Sequence, residues 1–280
     1  MPDLEKSRTD GRYFMRFTRG QRYLHAVLFT TFLGLAGTGL PMRFSESYWA
    51  RKFASGVGGF GAIIFFHKLF AVVLTLAFAL HVRDIFARAL VHREKGIFWG
   101  SSSMVANWKD VKDLLGHLRW FLGFGEKPQF DRYAYWEKFD YWAVFWGMIV
   151  IGFSGYAMWF APFFARFLPG WALNAVLVIH SEEGLLAILF IFSIHFVNTH
   201  LRPDSFPMDM VVFTGVESEE EFKTKRPQEY QRLAAQGKLE ARISAKPALW
   251  LVNFSKVVGF SAILIGLVLL VLTLSAYLRE

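Results

Sequence analysis

Five apolar runs divide the chain, at residues 23–40 (closed by Pro41), 63–89, 141–164, 173–199 and 248–278, and the segments between them carry most of the charge. The hydrocarbon core of a bilayer is spanned by about 20 residues of helix, and only helices or closed barrels satisfy their backbone there. The pattern therefore predicts an all-α fold, a polytopic membrane bundle with about five transmembrane helices. It divides the chain into an N-terminal arm (1–22), a four-helix core (23–200) interrupted by a long loop (90–139), a second loop (201–247) and a fifth helix (248–280). The first 22 residues are polar, so the first span is expected to be retained rather than removed as a signal.

Lysine and arginine set the expected orientation. Six lie in the arm, ten from Arg83 to Lys138 and eight from Arg202 to Lys246, against five on the other side: Arg43, Arg51, Lys52, Arg166 and Arg279. The positive-inside rule puts the N-terminus and both long loops in the cytoplasm and the C-terminus outside. Topology and attraction to anionic lipid then account for the net charge of +8, with no nucleic acid as a partner. Lys68 and Lys256 fall within spans, and Lys256, near a cytoplasmic end, is expected to snorkel. In the first long loop Val111, Leu114, Leu115, Leu118 and Phe121 recur near helical spacing, which predicts an amphipathic helix over 107–121 on the inner membrane surface. The charged stretch 215–242 reads equally as a docking surface or a solvated connector.

Composition narrows the class further. With 54% hydrophobic and 18% aromatic residues the chain is too apolar for an ordinary soluble domain. It has no cysteine, which excludes a disulfide, an iron–sulfur ligand set and a CxxCH attachment site for haem. Any redox group is held non-covalently by other ligands.

Five of the eight histidines lie in or at the ends of spans: His25, His67, His81, His180 and His195. On the fourth span His180 and His195 are fifteen residues apart, roughly 22 Å along a helix, and the rotation returns the second to within about 60° of the first. On the second span His67 and His81 are fourteen apart and return to within about 40°. With both spans running inward, His67 and His180 share an outer level, while His81 and His195 share an inner one that His25 also reaches. Ionisable groups inside a bilayer are unfavourable. Matched imidazoles at two levels are what a bis-histidine protein needs to hold two haems across a membrane. The expected cofactor is haem b, two copies or, with a further histidine, three; zinc or non-haem iron would call for three or four ligands converging at one point.

Other residues are candidates with structural alternatives beside them. Gly34, Gly37, Gly39, Gly147, Gly152, Gly155 and Gly184 leave room for a flat macrocycle, although glycine is common in membrane helices. Arg22, Arg83 and Arg202, near the inner level, are candidates for haem propionates or ordinary positive-inside residues. His200, turned by about 140° from His195, is expected not to serve the same haem; it is a candidate for a third haem, a quinone or proton-handling site, or the interface. Glu182 and Glu183 suit proton transfer, partner contact or a helix start favoured by the dipole. His92 and His117 are expected at the surface.

Three stretches carry a resemblance: RYLHAVLFTTFLGLAGTGLPMRF (22–44), DRYAYWEKFDYWAVFWGMIVIGFSGYAMWF (131–160) and IHSEEGLLAILFIFSIH (179–195). They resemble the R-x-x-H entry and TGLP-like exit, the G-R-Y-N-x-x-Q-K stretch with its G-x-x-M-W end, and the two-ligand fourth span of the cytochrome b subunits of membrane-bound formate dehydrogenases and nickel–iron hydrogenases. The similarity covers roughly residues 20 to 200. Beyond it, HFVNTHLRPDSFPMD (195–209) and the fifth span look more like cytochrome b proteins found with multihaem c cytochromes. The resemblance implies that His67 and His180 ligate the outer haem and His25 and His195 the inner one, leaving His81 extra; pairing the second and fourth helices would use His81 instead of His25. It also implies a quinone site, menaquinone in type, near the inner haem. There Tyr133 and Lys138 remain, but Ala134 and Glu137 replace the family's Asn and Gln.

The function these readings imply is that of a dihaem b-type electron-transfer subunit in a prokaryotic inner membrane, not an enzyme on its own. It would link a quinone pool to a redox partner: a multihaem cytochrome c, an iron–sulfur protein, or a dehydrogenase or hydrogenase subunit. The alternative is a haem-free transporter or scaffold whose histidines relay protons; such proteins more often show broken spans or inverted repeats.

Overall fold

A computed structural model describes residues 11–278. The chain is mostly helical, and five helices are long and apolar enough to cross a membrane: Arg19–Arg43, Phe60–Val91, Tyr135–Trp159, Gly170–Leu201 and Leu249–Tyr277. They are the five expected spans, displaced by a few residues at most ends. The first runs through Pro41, in its last turn, to Arg43. The third starts six residues before the apolar run, because Glu137 accepts a hydrogen bond from the Ala134 N–H at 2.7 Å and so caps a helix start whose own alanine cannot. Most of the apolar surface on these helices faces outward, including Phe65, Leu80, Ile149 and Leu264 at about three-fifths exposed. A multi-pass membrane protein presents such helices to lipid.

Three of the spans depart from α geometry. π-turns occupy Ala87–Val91, Met148–Gly152, Ile191–His195 and Val197–Leu201. Such turns recur at functional sites in helices.

The all-α expectation omits one small sheet. Strands β1 (Tyr13–Met15), β2 (Val216–Ser218) and β3 (Ile243–Ser244) form an antiparallel sheet in the order β2-β1-β3, with Phe14 opposite Glu217 and Ile243. Part of the arm and part of the charged loop are thus one folded body rather than an arm and a connector.

The chain forms two compact units. One contains residues 11–23, 84–142 and 203–257; the other contains 24–83, 143–202 and 258–278. In the first unit the fully buried Phe14 packs with Phe222, Leu233, Leu239 and Tyr230. Beside this core the buried carboxylate of Glu229 meets Arg132 at 2.9 Å, Arg16 and Arg226 at 3.7 Å and Arg242 at 3.9 Å. Arg226 also pairs with the buried Glu217, and its burial, with Arg16 nearby, pushes it down to about 9. The amphipathic helix forms as expected over Trp108–Phe121, opened by a reciprocal Asn107–Asp110 capping box. It leaves Leu114, Leu115, Leu118 and Phe121 exposed. His117, expected at the surface, is buried instead: its ring stacks on Phe121 at 4.9 Å and meets the Tyr135 hydroxyl at 3.1 Å.

In the second unit Ala36, Leu40 and Phe44 of the first span, Leu185, Ile188 and Phe192 of the fourth, and Ala276 of the fifth form the core. Helices approach closely at glycines. A Cβ at Gly266 would lie 2.6 Å from the Phe192 ring, and one at Gly34 would lie 2.5 Å from Phe70.

Candidate functional site: paired histidines in the second unit

His67 and His180 face each other, with ring centroids 6.2 Å apart and planes inclined by 76°. Two imidazoles on either side of one metal ion have centroids about 6.3 Å apart, from two bonds of about 2 Å and about 1.2 Å from each nitrogen to its ring centre. The observed separation matches that value, which an edge contact between two bare rings also gives.

The protons on both rings follow from their partners. His67 Nδ1 lies 2.9 Å from Thr38 Oγ1, and that hydroxyl donates its own proton to the Gly34 carbonyl at 2.7 Å. Thr38 therefore accepts, and Nδ1 carries the hydrogen. On the fourth span His180 Nδ1 lies 3.0 Å from the Ile151 carbonyl and 3.2 Å from Ser154 Oγ, which itself donates to Val150 O at 2.6 Å. A carbonyl only accepts, so this Nδ1 is protonated as well. In the neutral ring Nε2 is then the nitrogen with a lone pair, the form in which imidazole binds a metal. The Ile151 carbonyl belongs to the π-turn Met148–Gly152 and also accepts from Ser154 Oγ at 3.1 Å.

Glycines set the rings against the helices. A Cβ at Gly155 would lie 2.9 Å from His180 Cε1, and one at Gly39 would lie 3.4 Å from His67 Cε1. At Gly37, Gly152 and Gly184 a Cβ would meet nothing within 4 Å. The donor set, two neutral imidazoles with fixed tautomers in apolar surroundings, suits a bis-histidine haem. Among the described residues no group of three or more His, Asp or Glu converges to hold one metal ion.

Two π-turns of the fourth span include His195 and His200. A π-turn takes one residue more than an α-turn, so the fifteen residues from His180 to His195 rotate like fourteen. The fourth span then matches the spacing of His67 and His81, within about 40°. By the same reasoning the π-turn Val197–Leu201 would let the five residues from His195 to His200 rotate like four, about 40° in place of the 140° of α geometry. His25 lies within electrostatic reach of both His195 and His200. The His81 ring has an edge contact with Phe145 at 6.2 Å.

The remaining candidates fall in structural contacts. Arg83 is exposed and Arg202 partly buried. Arg22 packs against Gly215, whose φ of +82° and close approach to the arginine exclude a side chain there. Lys138 is buried in an ion pair with Asp110 at 2.8 Å, and the Tyr133 ring lies under Arg16 at 4.9 Å and Arg132 at 5.4 Å. Glu137, in the position of the family's Gln, pairs with Arg16 at 3.3 Å. Glu182 pairs with Arg43 at 2.9 Å, and Glu183 accepts from Trp146 Nε1 at 3.3 Å. Lys68 lies over the Trp159 ring at 4.9 Å.

Thr38, Ser154 and Ile151 were not singled out from the sequence. Threonine and serine are common in apolar helices, where they bond the carbonyl four residues back, as both do here. No family model matches the chain, and a search of curated proteins finds no match.

Proposed function

We propose that the chain is a dihaem b-type cytochrome of a multi-pass membrane complex, passing electrons between a quinone pool and a partner redox subunit. One observation carries the reading: the His67–His180 pair, with ring centroids 6.2 Å apart and both Nδ1 protons engaged. His67 and His180 would hold one haem b. His195 and His25 would hold the second, because His25 lies in the field of His195, with His81 the alternative and His200 the candidate for a third. When bound, the haems supply one-electron carriers at two depths of the membrane.

The chain's own residues do the rest. Thr38, Ser154 and the Ile151 carbonyl orient the imidazoles and raise their basicity as ligands. Apolar helices exclude water and lower the local dielectric, which tunes the potentials. The partner, the inner-membrane location and the orientation with both long loops in the cytoplasm belong to this proposal, on the strength of the lysine and arginine distribution.

The test is reduction by a quinol. Purified chain in proteoliposomes, mixed anaerobically with reduced 2-methyl-1,4-naphthoquinone, should develop the α-band of reduced haem b. A chain that contains haem reducible by dithionite but never by the quinol, at any potential poise, contradicts the quinone link.

A further inference from the structure

The helix Trp108–Phe121 turns its polar edge inward and its apolar face out. Asp110 and His117 are buried, whereas Val111, Leu114, Leu115, Leu118, Phe121 and the following Leu122 are 40–71% exposed. At about 100° per residue these six fall within an arc of about 120°. A helix on a water-soluble body lays such a stripe on its core, and an open apolar patch of this extent marks a surface that something covers. The buried edge shows where the helix is fastened. Asp110 pairs with Lys138 at 2.8 Å, the His117 ring meets those of Tyr135 and Trp136, and the Met104 carbonyl ahead of the helix accepts from Trp142 Nε1 at 3.0 Å. These partners all lie at the start of the membrane-crossing helix Tyr135–Trp159.

Charge selects the occupant. Asp110 is taken by Lys138 and Asp113 by Lys109. That leaves Lys112 and Arg119, both exposed and without an ion-pair partner among the described residues. Seven residues separate them, about 10 Å along the axis and about 20° in azimuth, so they form a row along one border of the apolar arc. Leucine and aromatic side chains bordered by cations make up a helix that lies in the plane of a bilayer interface, and the start of a spanning helix is the level of the lipid headgroups. Helical spacing alone predicts an amphipathic helix; the fastened edge and the two unpaired cations name the lipid. We propose that this face docks on anionic phospholipid, with the leucines and Phe121 among the upper acyl chains and Lys112 and Arg119 against lipid phosphates. A protein partner would have to bring a carboxylate to each cation, whereas the bilayer presents phosphates there already. Docking needs no haem.

The chain has no cysteine, so each single-cysteine variant of the full chain accepts one nitroxide label. The labelled chains are placed in nanodiscs of phosphatidylcholine with and without phosphatidylglycerol, and collision with oxygen and with a water-soluble nickel chelate is read by electron paramagnetic resonance. With phosphatidylglycerol, labels at Leu115→Cys and Leu118→Cys are expected to be open to oxygen and closed to nickel, at a depth of about 5–10 Å. A label at Lys238→Cys, exposed beside the turn at Gly237, should be open to nickel. Omitting phosphatidylglycerol should raise nickel access at 115 and 118. Adding Lys112→Gln and Arg119→Gln should raise it in the presence of phosphatidylglycerol, by about fivefold per charge in the docking equilibrium, and abolish the dependence on that lipid. Nickel access at 115 and 118 equal to that at 238 overturns docking on lipid. Labels closed to both oxygen and nickel assign the face to a protein, a second copy of the chain where labels broaden each other's spectra, and also overturn it. Burial that is the same with and without phosphatidylglycerol, whether or not the two cations are present, overturns the choice of anionic lipid.

Discussion

Thr38 accepts the Nδ1 proton of His67 at 2.9 Å while its own proton goes to the Gly34 carbonyl at 2.7 Å. The threonine thus fixes a tautomer on another helix through a hydroxyl that ordinary helix geometry already orients. Thr38→Val keeps the shape, removes the acceptor and leaves a buried N–H unmatched. Loss of such a support typically weakens metal binding about 10- to 100-fold, so the variant should release one haem per chain on dilution or mild detergent challenge. Ser154→Ala should do much less, because the Ile151 carbonyl still holds His180 Nδ1 at 3.0 Å. Equal haem retention in Thr38→Val and wild type would remove Thr38 from the account.

The proposed second haem has two candidate ligands to set beside His195. His25 lies within electrostatic reach of His195 and His200. His25→Ala is expected to lose one haem and His81→Ala to keep both, read as haem per polypeptide in the purified variants. The reverse result would assign the ligand to His81 and pair the second span with the fourth at both levels.

Glycine 155 is a close-approach position. An added methyl would lie 2.9 Å from His180 Cε1, so Gly155→Ala should push the ring off its Ile151 and Ser154 partners and shift the midpoint potential or spectrum of one haem. Gly184→Ala, where the methyl meets nothing within 4 Å, is expected to leave both unchanged. Identical redox titrations for the two variants would contradict this placement of His180.

The first unit depends on a buried charge. Glu229, 1% exposed, stands among Arg16, Arg132, Arg226 and Arg242. Glu229→Ala leaves these arginines without their common partner. Removing one member of a buried ion pair costs about 3–5 kcal/mol, enough to open a small folded body. Limited proteolysis should then cut within 215–242 in the variant and spare the wild type, while haem content stays constant. Resistance equal to wild type would show that the arginine cluster is not held by Glu229.

The spans were readable because lipid-facing helices need uninterrupted apolar residues, and the meeting of His67 with His180 because imidazoles are conspicuous in such runs. The sheet was not, because its strands have two or three residues each and pair Tyr13 with Ser218 and Ser244, some two hundred positions away. For the same reason the buried Glu229 cluster looked like part of a solvated charge run. His117 was misplaced because its aromatic neighbours Phe130, Tyr135 and Trp136 come from beyond its own helix. The π-turns left no pattern in the sequence, so the rotations from His180 to His195 and on to His200 were reckoned there on α geometry alone.

The most direct measurement is a pyridine haemochrome assay, with a reduced-minus-oxidised spectrum, on the purified chain and on His180→Ala. The account predicts two b haems per polypeptide in the wild type and one in the variant. A folded wild-type chain without haem, or a His180→Ala chain with its full complement, would contradict it.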